Sequence, residues 1–421
     1  MEIARIRGGL PLRGKVRIEG SKNAVLPIIA ASILADGACV LRDVPRLDDV
    51  NSIRDVMLSL GADIRQLGAR SMLCDTSGIR SSEPPYELVR RMRASFLVMG
   101  PLLAKLGYAR MSLPGGCAIG SRPIDLHLKG FVQLGASVCL GNGYVQVAAP
   151  RGLYGNRIYL DYPSVGATEN TMMAAVLARG STFIENAAEE PEIVDLANFL
   201  SNMGADIRGA GTNLVRIDGV RRLQPVEYTV IPDRIEAGTY LVAAAISGGE
   251  VFVENVVPEH LKPVMAKLRE TGARVYEQNE TAVAASAGRR PLAVDIKTLP
   301  YPGFPTDMQP QMMALMCVAC GTSIITESVF ENRFMHVPEM KRMGAHIKIE
   351  GRSAIVRGAP RVWGAQVKAT DLRAGAALLL LATRAEGVTE VSGLEHIDRG
   401  YVDFVPKLRS LGVDVERVTV T

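Results

Sequence analysis

Leu60-Gly61-Ala62-Asp63 is one of six near-copies of a phrase that sets the architecture of this chain. The others are Leu134-Gly135-Ala136-Ser137, Met203-Gly204-Ala205-Asp206, Thr271-Gly272-Ala273-Arg274, Met343-Gly344-Ala345-His346 and Leu411-Gly412-Val413-Asp414. Their glycines are 74, 69, 68, 72 and 68 residues apart. Spacing this even marks an internal repeat in which each copy is one supersecondary unit. In the fifth copy, Asp307 to Cys320 reads as a first helix and Ser323 to Thr326 as a strand. Glu331 to Pro338 leads into a second helix reaching Met343, which Gly344 caps, and the alternation of 345–349 gives the next strand. The unit reads as βαβαββ.

Three units per domain predict two similar α/β domains of roughly 200 residues each. The strand Glu2 to Arg7 precedes the first unit and finds no partner in it, so residues 1–20 are assigned with 230–421. Residues 21–229 form the other domain, ending in the β-run Leu214 to Tyr228. Crossovers near 20 and 230 would make a two-strand hinge beside a cleft.

Composition narrows the functions open to such a chain. Its 421 residues are 48% hydrophobic and 22% charged, which is ordinary for a globular protein with a large core. Only 5% are aromatic, and the net charge of +4 has no basic block, so a nucleic-acid partner is not expected. Arginine outnumbers lysine 37 to 11, through forked anion contacts or, more plainly, genomic composition bias. Cys317 and Cys320 form a C-x-x-C within an apolar run and read as buried helix thiols. The five histidines, at 127, 260, 336, 346 and 396, lack metal-ligand spacing, and no metal is expected. No dinucleotide or P-loop fingerprint is present, so no cofactor is expected either. The longest apolar stretch, Ala24 to Ala35, contains Pro27 and Ser32 and is too short to span a bilayer. Met1-Glu2-Ile3-Ala4-Arg5 lacks the apolar region of a signal peptide, and a cytoplasmic protein with no membrane partner is expected.

The polar residues recur at two places in the unit. One is the start of the first helix: Ser21-Lys22-Asn23, Arg93-Ala94-Ser95, Ser164-Val165-Gly166, Asp233 to Glu236, Thr306-Asp307-Met308 and Asp371-Leu372-Arg373. The other is the loop before the second helix: the segment around Cys117, Glu189-Glu190, Glu331-Asn332-Arg333 and His396-Ile397-Asp398-Arg399. Helix N-termini favour anions, and Lys22, Arg122, Arg333, Arg373 and Arg399 add positive charge, so a small polyanion is the expected ligand. The plainer alternative makes the Ser, Asp and Asn residues caps and the arginines solvated charge. Pro114-Gly115-Gly116-Cys117 through Arg122-Pro123 reads as a glycine-rich lid that a ligand would order. Arg122 there can favour the Cys117 thiolate.

Longer motifs carry a family resemblance. They are Gly20-Ser21-Lys22-Asn23-Ala24, Pro114 to Cys117 with Arg122-Pro123-Ile124-Asp125-Leu126-His127, and Ser164-Val165-Gly166-Ala167-Thr168. Pro305-Thr306-Asp307-Met308-Gln309, Phe330 to His336 and His396-Ile397-Asp398-Arg399-Gly400-Tyr401 complete the set. On these motifs the chain resembles, end to end, the UDP-N-acetylglucosamine 1-carboxyvinyltransferase family of enolpyruvyl transferases. The resemblance implies two inside-out α/β domains, each of three βαβαββ units. It implies transfer of the enolpyruvyl group of phosphoenolpyruvate to the 3′-hydroxyl of UDP-N-acetylglucosamine, with release of phosphate through a tetrahedral intermediate. That reaction is the first committed step of peptidoglycan precursor synthesis, and so bears on cell-wall biogenesis, cell shape and division.

The implied roles fall on matching positions. Cys117 is the acid toward phosphoenolpyruvate, can form an adduct with it, and is the thiol alkylated by fosfomycin. Asp307 is the base for the 3′-hydroxyl, and Lys22 is catalytic. Lys22, Asn23, Arg122, Arg373 and Arg399 hold phosphoenolpyruvate. Arg93, Arg122, Pro123, Ile124, Asp125, Leu126, Ser164, Val165, Gly166, Asp307, Val329 and Arg333 contact the UDP-sugar. Some members carry a basic residue where Tyr162 stands, so no diphosphate contact is carried over there. The rival readings are 3-phosphoshikimate 1-carboxyvinyltransferase, whose Asn-Ala-Gly-Thr segment this chain lacks, and a non-catalytic UDP-sugar-binding paralogue.

Overall fold

The six repeated glycines all adopt positive φ, between 88° and 106°. Each sits just past a helix and is followed by the same pair of hydrogen bonds. In the first copy Gly61 N donates to Leu58 O at 3.0 Å and Ala62 N to Met57 O at 3.1 Å. The equivalent pairs recur at 135/136, 204/205, 272/273, 344/345 and 412/413. This is the Schellman cap, in which a left-handed residue lets the chain turn back and satisfies the helix's last carbonyls. Glycine is used because a Cβ at such φ is strained. The phrase is therefore a stop-and-reverse signal that delivers the chain into a strand.

Residues 2–113, 124–288 and 290–420 are described here from a computed structural model. The fifth copy shows the complete unit: strand Ile296–Lys297, helix Gln309–Cys317, strand Thr322–Thr326, helix Val337–Arg342, then strands His346–Glu350 and Ser353–Arg357. The first two strands are parallel, with Ile296 opposite Ile325, and the rest antiparallel. The described residues form six sheets, five four-stranded and one three-stranded.

Three copies borrow strands from elsewhere in the chain. The sixth takes Glu2–Arg7 as its missing strand, between Val388–Ser392 and Asp414–Thr419. The fourth takes Arg13–Arg17, parallel to Glu250–Glu254. The first takes Glu227–Thr229, parallel to Ala38–Arg42. The expected run Leu214 to Tyr228 is thus two separate strands, Leu214–Asp218 and Glu227–Thr229, in different sheets. Gly219 to Val226 breaks it, with Pro225 interrupting the alternation that a continuous strand requires.

The first helix of each unit is the buried one. In the unit-bearing region 232–420, Arg234–Ser247, Gln309–Cys317 and Leu372–Ala382 pack on one another with nearly every residue buried. Their sequences are apolar all round, which suits helices at the centre of a domain. Buried polar side chains on them include Glu236, Thr239, Ser247, Gln309, Gln311 and Arg373, most of which find partners inside. Lys22–Ala31 and Val165–Ala175 are buried in the same way in the other half. Helices inside and sheets outside make the fold a two-domain, inside-out α/β architecture. By internal contacts, one compact unit holds residues 2–19 and 232–420, and the other holds the described residues between 20 and 231.

The C-x-x-C does not read as two helix thiols in this structure. Cys317 is buried at the end of its helix, but Cys320 is exposed on the bridge to Leu292, because the helix stops at Cys317. No described helix is long and apolar enough to cross a membrane.

Candidate active site

The polar residues at helix starts divide into two kinds. Four are caps. Ser21 accepts from Ala24 N, Ser164 from Ala167 N, Asp233 from Ile235 and Glu236 N, and Asp371 from Arg373 and Ala374 N. For these side chains the plainer alternative holds. Asp307 is different: it lies in the 3-10 turn Thr306–Met308, and helix Gln309–Cys317 begins without a side-chain cap.

The carboxylate of Asp307 is gripped by two arginines. Arg333 Nη2 donates to Oδ1 at 2.8 Å. Arg373 donates to Oδ2 through Nη2 at 3.0 Å and Nε at 3.2 Å. Both guanidinium groups are almost fully buried, whereas the Asp307 side chain keeps 26% of its surface exposed. Burial by itself would push the Asp307 carboxyl up, but the charges of Arg373 and Arg333 and their hydrogen bonds outweigh it and hold the group far below the usual carboxylate range. The two arginines therefore keep Asp307 ionised.

Arg333 is steadied by its neighbours. Its Nη1 donates to Thr306 Oγ1 at 3.3 Å, and the guanidinium lies 5.4 Å from the Phe330 ring centre. Thr306 Oγ1 donates to Glu327 Oε2 at 2.8 Å. The other oxygen of Glu327 accepts from Thr298 Oγ1 at 2.6 Å and from the backbone N–H of Val329 at 2.9 Å, which fixes the segment carrying Val329. His336 is buried beside Arg333; burial, helped by that charge and opposed by Asp371, lowers its pKa to about 4. Arg399 is half-buried and follows helix Leu394–Asp398.

In the other unit, Lys22 is buried in the first turn of its helix, with Nζ 2.7 Å from Asp49 Oδ2. A buried ammonium needs such a partner. Asn23 is half-buried beside it. His127 packs edge-on to Phe96 at 5.2 Å, and its Nδ1 faces Asn170 Nδ2 at 3.1 Å. Burial, with a further push from the Arg93 charge, lowers His127 to about 3, so the imidazole is neutral. Gly166 lies against this ring: a Cβ there would come within 3.1 Å of it. Gly166 and Arg93 are therefore neighbours of His127, with Ser164 and Val165 beside Gly166 in the chain. Asp125 opens helix Asp125–Gln133 and is exposed, with Ile124 and Leu126 half-buried around it. Cys117, Arg122 and Pro123 lie outside the described residues.

Sequence reasoning missed Asp49, the partner of Lys22, and Glu327, which organises the turn at Val329. Glu327 was findable in principle, as an acidic residue closing a strand before a Ser-containing turn. Asp49 was not, since nothing local ties it to Lys22.

The family described as EPSP synthase (3-phosphoshikimate 1-carboxyvinyltransferase) matches residues 6–408. UDP-N-acetylglucosamine 1-carboxyvinyltransferase 1 of Caldanaerobacter subterraneus subsp. tengcongensis is 60% identical over 97% of both chains. UDP-N-acetylglucosamine 1-carboxyvinyltransferase 2 of Carboxydothermus hydrogenoformans is 59% identical over the full length of both. Among solved structures, the enolpyruvyl transferase NikO from Streptomyces tendae superposes with a TM-score of 0.89 at 26% identity, covering 100% of this chain and 99% of that one. EPSP synthase from Acinetobacter baumannii shares the fold, with a TM-score of 0.76 at 18% identity over 99% of this chain and 100% of that one. The chain thus belongs to the carboxyvinyl (enolpyruvyl) transferase family, and within it to the UDP-N-acetylglucosamine 1-carboxyvinyltransferases.

Proposed function

We propose that this transferase moves the enolpyruvyl group of phosphoenolpyruvate to the 3′-hydroxyl of UDP-N-acetylglucosamine, releasing inorganic phosphate, in the cytoplasm. The observation that carries the reading is the Asp307 carboxylate, ionised and partly exposed between Arg333 and Arg373, in a chain 57–60% identical to named enzymes of this kind.

The chemistry asks for two proton transfers. The sugar oxygen bonds to C2 of phosphoenolpyruvate while the hydroxyl proton leaves and C3 gains a proton to become a methyl group. The C2–O bond to phosphate then breaks, phosphate departs, and the methyl group returns one proton to restore the double bond. Asp307 takes the hydroxyl proton, and the thiol of Cys117 supplies the proton to C3. A carboxylate held by two guanidinium groups is a weak base, so an anionic substrate that draws Arg373 or Arg333 away strengthens it at the moment of need. Phosphoenolpyruvate carries a carboxylate and a phosphate of about −1.5 to −2, which Lys22, Asn23, Arg122, Arg373 and Arg399 balance. Arg93, Arg122 to Leu126, Ser164 to Gly166, Val329 and Arg333 hold the UDP-sugar.

The test is the identity of the product. With both substrates, carbon–carbon correlation by NMR should connect the new vinyl ether to C3 of the glucosamine ring. A vinyl ether on another hydroxyl, or none, would refute the reading.

A further inference from the structure

Tyr401 is buried (2% exposed) directly beneath Arg373, whose guanidinium carbon lies 5.3 Å from the centre of its ring. Its hydroxyl is held by the two neighbouring central helices: Thr239 Oγ1 at 3.0 Å and Gln311 Nε2 at 3.1 Å. The proton positions follow by elimination. Thr239 Oγ1 donates its hydrogen to Ile235 O at 2.7 Å, so in the Thr239–Tyr401 pair the phenol is the donor. Gln311 Nε2 gives one hydrogen to Thr239 Oγ1, at 3.1 Å, and the other to Tyr401 Oη. The phenol is thus neutral, its O–H directed at Thr239, and toward Arg373 it presents both its ring, 5.3 Å from the guanidinium carbon, and its oxygen, which interacts with the guanidinium as well. Phe404 packs against the ring at 4.7 Å between centroids.

We propose that Tyr401 is a positioning residue for the transfer reaction: it pins Arg373 from below so that Nε and Nη2 meet Asp307 Oδ2. Arg373 Nη1 is buried without a well-formed hydrogen bond among the described residues, so the guanidinium is steadied there by the Tyr401 ring, with the phenol oxygen contributing. Charged and titratable groups around the clamp are Arg333 and Arg373 on Asp307, His336 and Glu327 near Arg333, and Asp371 and Asp233 at the neighbouring helix starts. The proposal rests on the reading of Asp307 as the base.

The experiment compares Tyr401→Phe, which keeps the ring face, with Tyr401→Leu, which removes it. In the full-length protein, Tyr401→Phe should keep kcat within about threefold, while Tyr401→Leu should lose about tenfold in kcat, because an unpinned Arg373 is misplaced for its transfer from Asp307 to phosphoenolpyruvate. The acid limb of the kcat profile should move to higher pH in Tyr401→Leu alone, because Arg373 no longer holds Asp307 as tightly. A Tyr401→Leu enzyme with the wild-type acid limb, whatever its melting temperature, would overturn the proposal. So would a Tyr401→Phe enzyme as slow as Tyr401→Leu. If Tyr401→Leu does not fold, Tyr401→Met, flexible and without a ring face, takes its place. Asp307→Asn, run alongside, separates the two ideas. If it is fast, the base assignment fails. If it is slow while Tyr401→Leu leaves the limb unmoved, only the positioning role fails.

Discussion

Asp307 and Arg373 stand 66 residues apart in sequence, yet Arg373 forks onto Oδ2 of Asp307 through Nη2 at 3.0 Å and Nε at 3.2 Å. This contact decides how Asp307 should be tested. Because Asp307 caps no helix, Asp307→Asn cannot act through lost capping. Positioned acid–base groups contribute about 10²–10⁴-fold, and kcat should fall by that order while UDP-N-acetylglucosamine binding, read by calorimetry, stays within a few fold. Equal loss of binding and kcat would make Asp307 a binder.

The Lys22–Asp49 pair allows stability and turnover to be separated. Asp49→Leu removes the carboxylate 2.7 Å from a buried ammonium and should cost about 3–5 kcal/mol in denaturant unfolding. Lys22→Met combined with Asp49→Leu should recover most of that stability and none of the turnover. A double variant as unstable as Asp49→Leu would show that the pair is not what the packing depends on.

Stability should depend on pH through His127. Its folded pKa of about 3 lies below the ordinary imidazole value, so its contribution is complete above about 6.5 and declines as pH falls toward 3. Glu236, raised to about 7 mainly by burial despite Lys407, works in the opposite sense, losing stability as pH rises from about 4.5 to 7. His127→Gln keeps an acceptor for Asn170 and cannot titrate. The wild-type-minus-variant difference in unfolding free energy should rise with pH between about 4 and 6.5, by at most about 1.4 kcal/mol per pH unit, then level off. A flat difference would mean that His127 is charged in the folded protein.

The repeat phrase makes a graded prediction. At Gly272 a Cβ meets nothing within 4 Å, so Gly272→Ala should cost only the strain of positive φ, about 1–2 kcal/mol. At Gly61 the same atom would come 2.7 Å from Gly78 O, so Gly61→Ala should cost clearly more in thermal unfolding. Equal costs would mean that backbone conformation alone selects these glycines.

Cys117 is open to test by chemistry. Cys117→Ser should lose nearly all turnover, because a hydroxyl is a far weaker acid than a thiol. Cys117→Asp should retain measurable turnover and escape fosfomycin. Full inactivation of Cys117→Asp by fosfomycin would move the alkylated residue elsewhere.

Much of this was legible in the sequence because it is local. A Schellman cap is written in three consecutive residues, and six copies of Leu-Gly-Ala or its variants disclose six helix ends followed by strands. Helix caps such as Asp233 and Asp371 are equally local. What could not be read is pairing at a distance. Glu227–Thr229 joins Ala38–Arg42 across nearly half the chain, and nothing in either segment names the other. The same holds for Asp307 with Arg333 and Arg373: each residue stood out in sequence, but their common carboxylate did not. The sequence therefore suggested arginines waiting for substrate, whereas the folded chain already uses two of them on Asp307.

The most direct test of the account is the rate of phosphate release from phosphoenolpyruvate with each of two acceptors. UDP-N-acetylglucosamine should support sustained release that stops when the acceptor is exhausted, one phosphate per sugar, while shikimate 3-phosphate supports none. Release with shikimate 3-phosphate, or none with UDP-N-acetylglucosamine from a folded enzyme, would contradict it.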